Sequence, residues 1–166
     1  YANAVAESAM QALKTVTYHD DAPLGMIEKN LELSYRVPYE KRLAWARPIA
    51  AKIVNDVPKD KQEVYAREAL ILHERQKTTV KLQAIRIGTR EGGDLTIATM
   101  PNEVYALTGL RLRWGARFST HFNISLANGA EGYIPPAEQH ELGGYTTWPA
   151  RTAGLEVAAE ATIRGM

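Results

Sequence analysis

"TVKLQAIRIGTREGGDLTIATMPNEVYALTGLRLRWG", residues 79–115, changes its hydrophobic period part-way along. In "TVKLQAIRIG" and "DLTIATM" apolar residues recur at every second position, the spacing of a β-strand with one buried face. "TREGG" between them has the glycines of a hairpin connection. The apolar set of the first strand changes face between Leu82 and Ile85, which predicts either a bulge or burial on both sides. Beyond Met100 the spacing lengthens, and Val104, Leu107 and Leu110 form the stripe of a helix with Asn102 as N-cap and Gly115 at its exit. Two strands running into a helix predict a mixed α+β unit.

The same reading extends outward. Val5, Ala9, Leu13 and Val16 predict an amphipathic helix over residues 2–16, followed by a polar loop over 18–25. Leu31, Leu33, Tyr35 and Val37 alternate with polar residues in a strand that Pro38 ends. Leu43, Ala46, Ala50 and Ile53 mark a second helix, which Pro48 either kinks or divides. Pro58 suits the first turn of a third, running to Gln76 with Tyr65, Ala69 and Leu72 inside. Downstream, "FSTHFNISLA" sets Phe118, Phe122, Ile124 and Leu126 on one strand face and Ser119, His121, Asn123 and Ser125 on the other. Asn128-Gly129 is a hairpin signal, and a last helix from about Thr152 would bury Leu155, Ala158, Ala159 and Ile163. No repeat, low-complexity stretch or linker interrupts the chain. The expectation is one unit over residues 1–166, a mixed sheet of about five strands packed with helices.

Composition limits the function classes. The 166 residues are 45% hydrophobic, enough for one sizeable core. Twenty basic and 19 acidic residues leave a net charge of +1, which argues against nucleic acid or an anionic membrane as partner. The absence of cysteine excludes disulfides and thiolate metal sites. No apolar run approaches the roughly 18 residues of a transmembrane segment. The chain opens on Tyr1-Ala2-Asn3 with helical periodicity under way and reads as a piece of a longer protein.

Few residues carry an unambiguous chemical signal. No nucleophile elbow, phosphate loop or nucleotide fingerprint occurs. The four histidines show no helical metal-site spacing. His19, His73 and His140 read as solvated. His121, on the polar face of a strand, is either a hydrogen-bonded structural residue or a ligand or base. Glu103 likewise has two readings: an acid stabilised in the first turn of a helix, or a ligand at a strand end leading into a helix. "GYIPPAEQHELGGYTTW", residues 132–148, holds Tyr133 and Tyr145 twelve apart, each beside glycine. A core aromatic needs no such setting; a phenol presented to a ligand does.

Taken in order, "GDLTIATMPNEVYALTGLRLR" and "THFNISLANGAEGYIPPAEQHELGGYTTW" resemble the C-terminal part of the catalytic domain of neutral (non-lysosomal) ceramidases, and the bacterial ceramidase-like branch in particular. The resemblance covers residues 79–166. It implies a zinc-dependent amide hydrolase that cleaves the N-acyl bond of ceramide or a related lipid amide. By position it makes Glu103 and Tyr133 zinc ligands and Tyr145 the catalytic phenol that contacts the scissile carbonyl. It further implies a secreted or periplasmic setting. The family's two histidine ligands and its serine-bearing segment belong to the N-terminal half of the same catalytic domain, which would precede this chain and be its structural partner. The isolated chain is therefore expected to be inactive and to bind zinc weakly. Asn102 departs from the glycine usual before Glu103, which bears on the turn that aims the carboxylate. Two other classes stand beside this expectation: a ceramidase-like binding or structural module without catalysis, and a hydrolase of a non-lipid amide or ester.

Overall fold

The computed structural model describes residues 1–18, 20–88, 95–116 and 120–166. In chain order the elements are α1 (Ala2–Leu13), β1 (Leu24–Ser34), α2 (Glu40–Ala50), α3 (Lys61–Arg75), β2 (Lys77–Ile87), β3 (Leu95–Thr99), β4 (Glu103–Val104), α4 (Ala106–Gly115), β5 (Thr120–Ile124), β6 (Tyr133–Ile134), α5 (Ala137–Leu142) and α6 (Ala159–Arg164). Single 3-10 turns occupy Tyr145–Thr147 and Arg151–Ala153. This is an α+β architecture, as the alternating periods predict. No helix among the described residues is long and apolar enough to cross a membrane.

The main sheet has the order β1-β2-β3-β5. β1 and β2 pair antiparallel without interruption from Leu24↔Ile87 to Ser34↔Lys77, so the change of face in β2 is not a bulge. Ala84 and Ile85 are both half-buried, which makes it two-sided burial instead. β2 and β3 are antiparallel as the hairpin pattern requires, although the connecting residues 89–93 lie outside the described residues. β3 and β5 are parallel, and α4 connects them in sequence, the order of a β-α-β unit.

Several expectations are corrected. β1 begins at Leu24, inside the expected loop. α1 is exposed along its whole length, so its apolar stripe meets no core. α2 continues through Pro48 to Ala50; in the last turn the lost N–H sacrifices little of the helix. α3 starts after Asp60, whose side chain accepts from the Glu63 amide at 2.9 Å, leaving Pro58 outside the helix. The predicted last helix begins only at Ala159; Leu155 makes a β-bridge to Tyr35, and Ala158 is exposed. Asn128-Gly129 does not close a hairpin. The amides of Leu126 and Ala127 bond back to the carbonyls of Asn102 and Met100, at 3.2 and 3.0 Å, which turns the chain across the end of β3.

The core gathers Leu33 and Tyr35 at the end of β1, Leu72 of α3, Val80 and Leu82 of β2, Ile134 of β6, and Leu155 and Ile163. A smaller cluster of Ala46, Ala66 and Ala69 lets α2 and α3 approach closely. β5 turns the unexpected way. Its polar His121 and Asn123 are half-buried, and Phe122 and Ile124 are exposed. Phe118 lies outside the described residues.

Candidate functional site

Glu103 does not sit in the first turn of a helix. It opens the two-residue strand β4, and α4 starts three residues later, after Tyr105. β4 pairs in parallel with β6 in the register Glu103↔Tyr133 and Val104↔Ile134. Parallel partners in register project to the same face, so a carboxylate and a phenol thirty positions apart in sequence stand side by side.

Asn102 fixes this pairing. It is not an N-cap but a fully buried residue (0% exposed) whose amide Nδ2 donates to the carbonyls of Glu131 and Gly132, at 3.2 and 3.3 Å. The Glu103 amide donates to the Gly132 carbonyl at 2.9 Å. Gly132 is required at its position for two reasons. Its φ is +71°, and a Cβ there would lie 2.5 Å from the carbonyl oxygen of Thr152. The β6 backbone therefore passes directly against the 151–152 turn, and Tyr133 emerges from a segment held on both sides.

Tyr145 reaches the same place from a different direction. Gly143 and Gly144, with φ of +77° and +99°, swing the chain out of α5 into the 3-10 turn, in open space where only the backbone geometry demands glycine. Thr147 secures that turn by donating from its Oγ1 to the Gly144 carbonyl at 2.8 Å, and the Tyr105 hydroxyl meets Thr146 Oγ1 at 2.6 Å. The phenol oxygens of Tyr133 and Tyr145 come to 3.0 Å, with the rings edge-to-face at a centroid distance of 5.5 Å. Tyr145 is 62% exposed and packs into no core.

The Tyr145 hydroxyl, and after it the Glu103 carboxylate, push the Tyr133 phenol above the usual tyrosine range. Both neighbours favour the protonated phenol at 133, and across the 3.0 Å contact either phenol can donate to the other. Tyr145 is the member of the pair that stands open to an incoming group. Glu103 also lines a cavity of about 420 Å³ with Glu68, Arg151 and Gly132; the two phenols stand outside that lining.

Other polar side chains have partners within the fold. His121 is held through both ring nitrogens, by Thr96 Oγ1 at 2.8 Å and Asn123 Oδ1 at 3.0 Å. His140 is not solvated as expected: it is half-buried, with Nδ1 3.5 Å from Arg36, and burial followed by that guanidinium pushes its pKa down. Sequence reasoning missed two carboxylate systems, one half-buried and one buried. Glu131 accepts from the Tyr35 hydroxyl at 2.9 Å and from Thr78 at 3.3 Å. Glu68, 5% exposed, accepts from the side chain and the backbone of Arg151, at 2.7 and 2.9 Å. Burial raises the Glu68 carboxyl, but the Arg151 hydrogen bonds and the charges of Arg151 and Arg67 outweigh it and leave the pKa below the ordinary range. Among the described residues, no group of three His, Cys, Asp or Glu side chains stands close enough to hold a metal ion.

Comparison with protein-family models, with curated proteins and with solved structures finds no match to this chain.

Proposed function

We propose that this chain is the C-terminal part of the catalytic domain of a zinc-dependent amide hydrolase of the neutral ceramidase type, cleaving the N-acyl bond of ceramide or a related lipid amide. The observation that supports this reading is the cluster of Glu103, Tyr133 and Tyr145, brought together from three separate segments and left open to solvent on the Tyr145 side. A core built for packing alone gains nothing from that arrangement.

The donor set fits half of a zinc site. A carboxylate is an accepted zinc ligand, the phenol adds a second oxygen donor, and zinc takes three or four ligands from protein, so one or two more must come from outside this chain. Glu103 and Tyr133 would hold the ion, which supplies Lewis-acid polarisation and an activated water at neutral pH. The chain's own contribution is positional. β4 and β6 fix the two oxygens in register, Asn102 and Gly132 prevent that register from slipping, and Tyr145 turns its hydroxyl toward the amide oxygen as negative charge develops there.

A binding module without catalysis is the second reading. The proton held on Tyr133 by its two neighbours favours it, because it suits a hydrogen-bond donor better than a ligand. Full-length protein carrying Glu103→Gln or Tyr133→Phe separates the two. Under the first reading either change lowers zinc content and abolishes release of fatty acid from an N-acylsphingosine. Wild-type protein free of zinc and unable to hydrolyse that amide would sink it.

A further inference from the structure

A cavity of about 720 Å³ is a groove between α2, α3 and the Trp148-Pro149 segment, and Glu68 is not among its lining residues. Its walls combine aromatic and cationic side chains. Trp45, Tyr65 and Trp148 supply aromatic surface, with Tyr65 edge-to-face on Trp148 at 5.5 Å. Arg36, Arg42 and Lys61 supply three positive charges, and no carboxylate lines the groove.

The Arg42 guanidinium lies 3.7 Å above the Trp45 ring, and the Lys61 ammonium 5.9 Å above that of Trp148. Among the described residues neither has a carboxylate partner. Stacking occupies the face of a guanidinium and leaves its in-plane N–H donors for an oxyanion. Arg36 bonds to the Ala153 carbonyl and to His140, and its buried Nε has no partner.

We infer that this groove binds a free organic monoanion with an apolar body, its oxyanion held at the edge of Arg42 beside Lys61 and its body laid against Trp148 and Tyr65. The volume is that of a small-molecule site. Uncompensated cations on aromatic walls select a negative headgroup over a neutral or positive one. This inference is independent of the Glu103–Tyr133–Tyr145 reading, and its test involves no hydrolysis.

Trp45 and Trp148 are built-in reporters once the remaining tryptophan is removed by Trp114→Phe. Octane-1-sulfonate, which does not absorb in the tryptophan band, is titrated into the full chain below its micellar concentration. The expected result is a saturable change in tryptophan emission, with octan-1-ol and octyltrimethylammonium binding at least about tenfold more weakly, the factor that about 1.4 kcal/mol represents. Arg42→Gln combined with Lys61→Gln should weaken the sulfonate by at least the same factor. Trp148→Leu, read through Trp45, should also weaken it. Three outcomes overturn the inference: equal affinity for the alcohol, undiminished affinity in the Arg42/Lys61 variant with unchanged circular dichroism, or no saturable response. Binding only to vesicles of anionic phospholipid, with none to the free sulfonate, would also overturn it and make the surface a membrane contact instead.

Discussion

Replacing Gly132 by alanine tests how the phenol at 133 is held. The backbone there has φ +71°, which costs an L-residue about 1–2 kcal/mol. The added Cβ would stand 2.5 Å from the Thr152 carbonyl oxygen and 2.6 Å from its carbon, and both belong to backbone that cannot rotate away. Forcing the two segments apart adds about 1–3 kcal/mol, the usual cost of overpacking. Against this, alanine lowers the entropy of the unfolded chain and returns about 0.4–1 kcal/mol. The net loss is about 1–4 kcal/mol. Gly25→Ala is the control, because it lies in strand β1 without a positive φ and nothing lies within 4 Å of the new methyl. In urea unfolding followed by circular dichroism, with a slope of about 2 kcal/mol per molar, Gly132→Ala should lower the midpoint by about 0.5–2 M, and Gly25→Ala should leave it unchanged or slightly raised. Equal midpoints in the two variants would mean that the left-handed backbone at 132 and the close approach of β6 to the 151–152 turn do not hold Tyr133 in place.

Other expected outcomes follow from single contacts. Tyr145→Phe removes an exposed hydroxyl and should leave the urea midpoint unchanged, while an absorbance titration near 295 nm shows the Tyr133 phenol ionising at lower pH than before, because its largest upward influence is gone. Under the proposed function the same change should lower kcat by about 10²–10³ with little effect on KM, as for loss of one oxyanion donor. Arg151→Met leaves Glu68 buried without its main partner; with the arginine side chain 42% exposed, the loss is discounted for solvent screening to about 1–3 kcal/mol by thermal unfolding. The Glu68 pKa is depressed on folding, so its contribution is present above the ordinary carboxylate pKa and lost as pH falls through the folded value. Glu68→Gln should therefore flatten the acid limb of the stability curve. Asn102→Gly removes the donor to the Glu131 and Gly132 carbonyls and should cost about 1–3 kcal/mol in urea unfolding.

The fold was legible wherever a period of two or of 3.6 ran long enough to exclude the other, as in β2, β3 and α3. What the periods left undetermined was direction. Alternation in β5 separates His121 and Asn123 from Phe122 and Ile124, but a strand with two distinct faces is equally compatible with either facing inward. The hydrogen bonds of His121 to Thr96 and Asn123 decide it, and they depend on a parallel neighbour that local sequence does not reveal. α1 shows the same limit from the opposite side. Its stripe is amphipathic by spacing, yet every residue on it is exposed, because periodicity says that a face is apolar and not that a partner is present.

At the candidate site, the glycines beside Tyr133 and Tyr145 marked both tyrosines as unusual, and the structure supplies a different reason for each. Gly132 is demanded by contact with the 151–152 turn, whereas Gly143 and Gly144 are demanded by φ alone. Glu103 was misplaced in a helix because a two-residue strand has no period to detect; β4 exists only through its partner β6. Asn102 resolves in the same way. Read along the chain it is a cap, or a departure from a more flexible glycine. In the fold its side chain supplies donors to carbonyls of the facing strand, so it stiffens the turn that aims Glu103 instead of loosening it. Two short strands give very few ladder hydrogen bonds, and a pairing that small does not hold its register unaided. The buried amide of Asn102 and the steric limit at Gly132 supply what is missing. Both constraints fall within two residues of the carboxylate–phenol pair, so the geometry at Glu103 and Tyr133 is held from both strands.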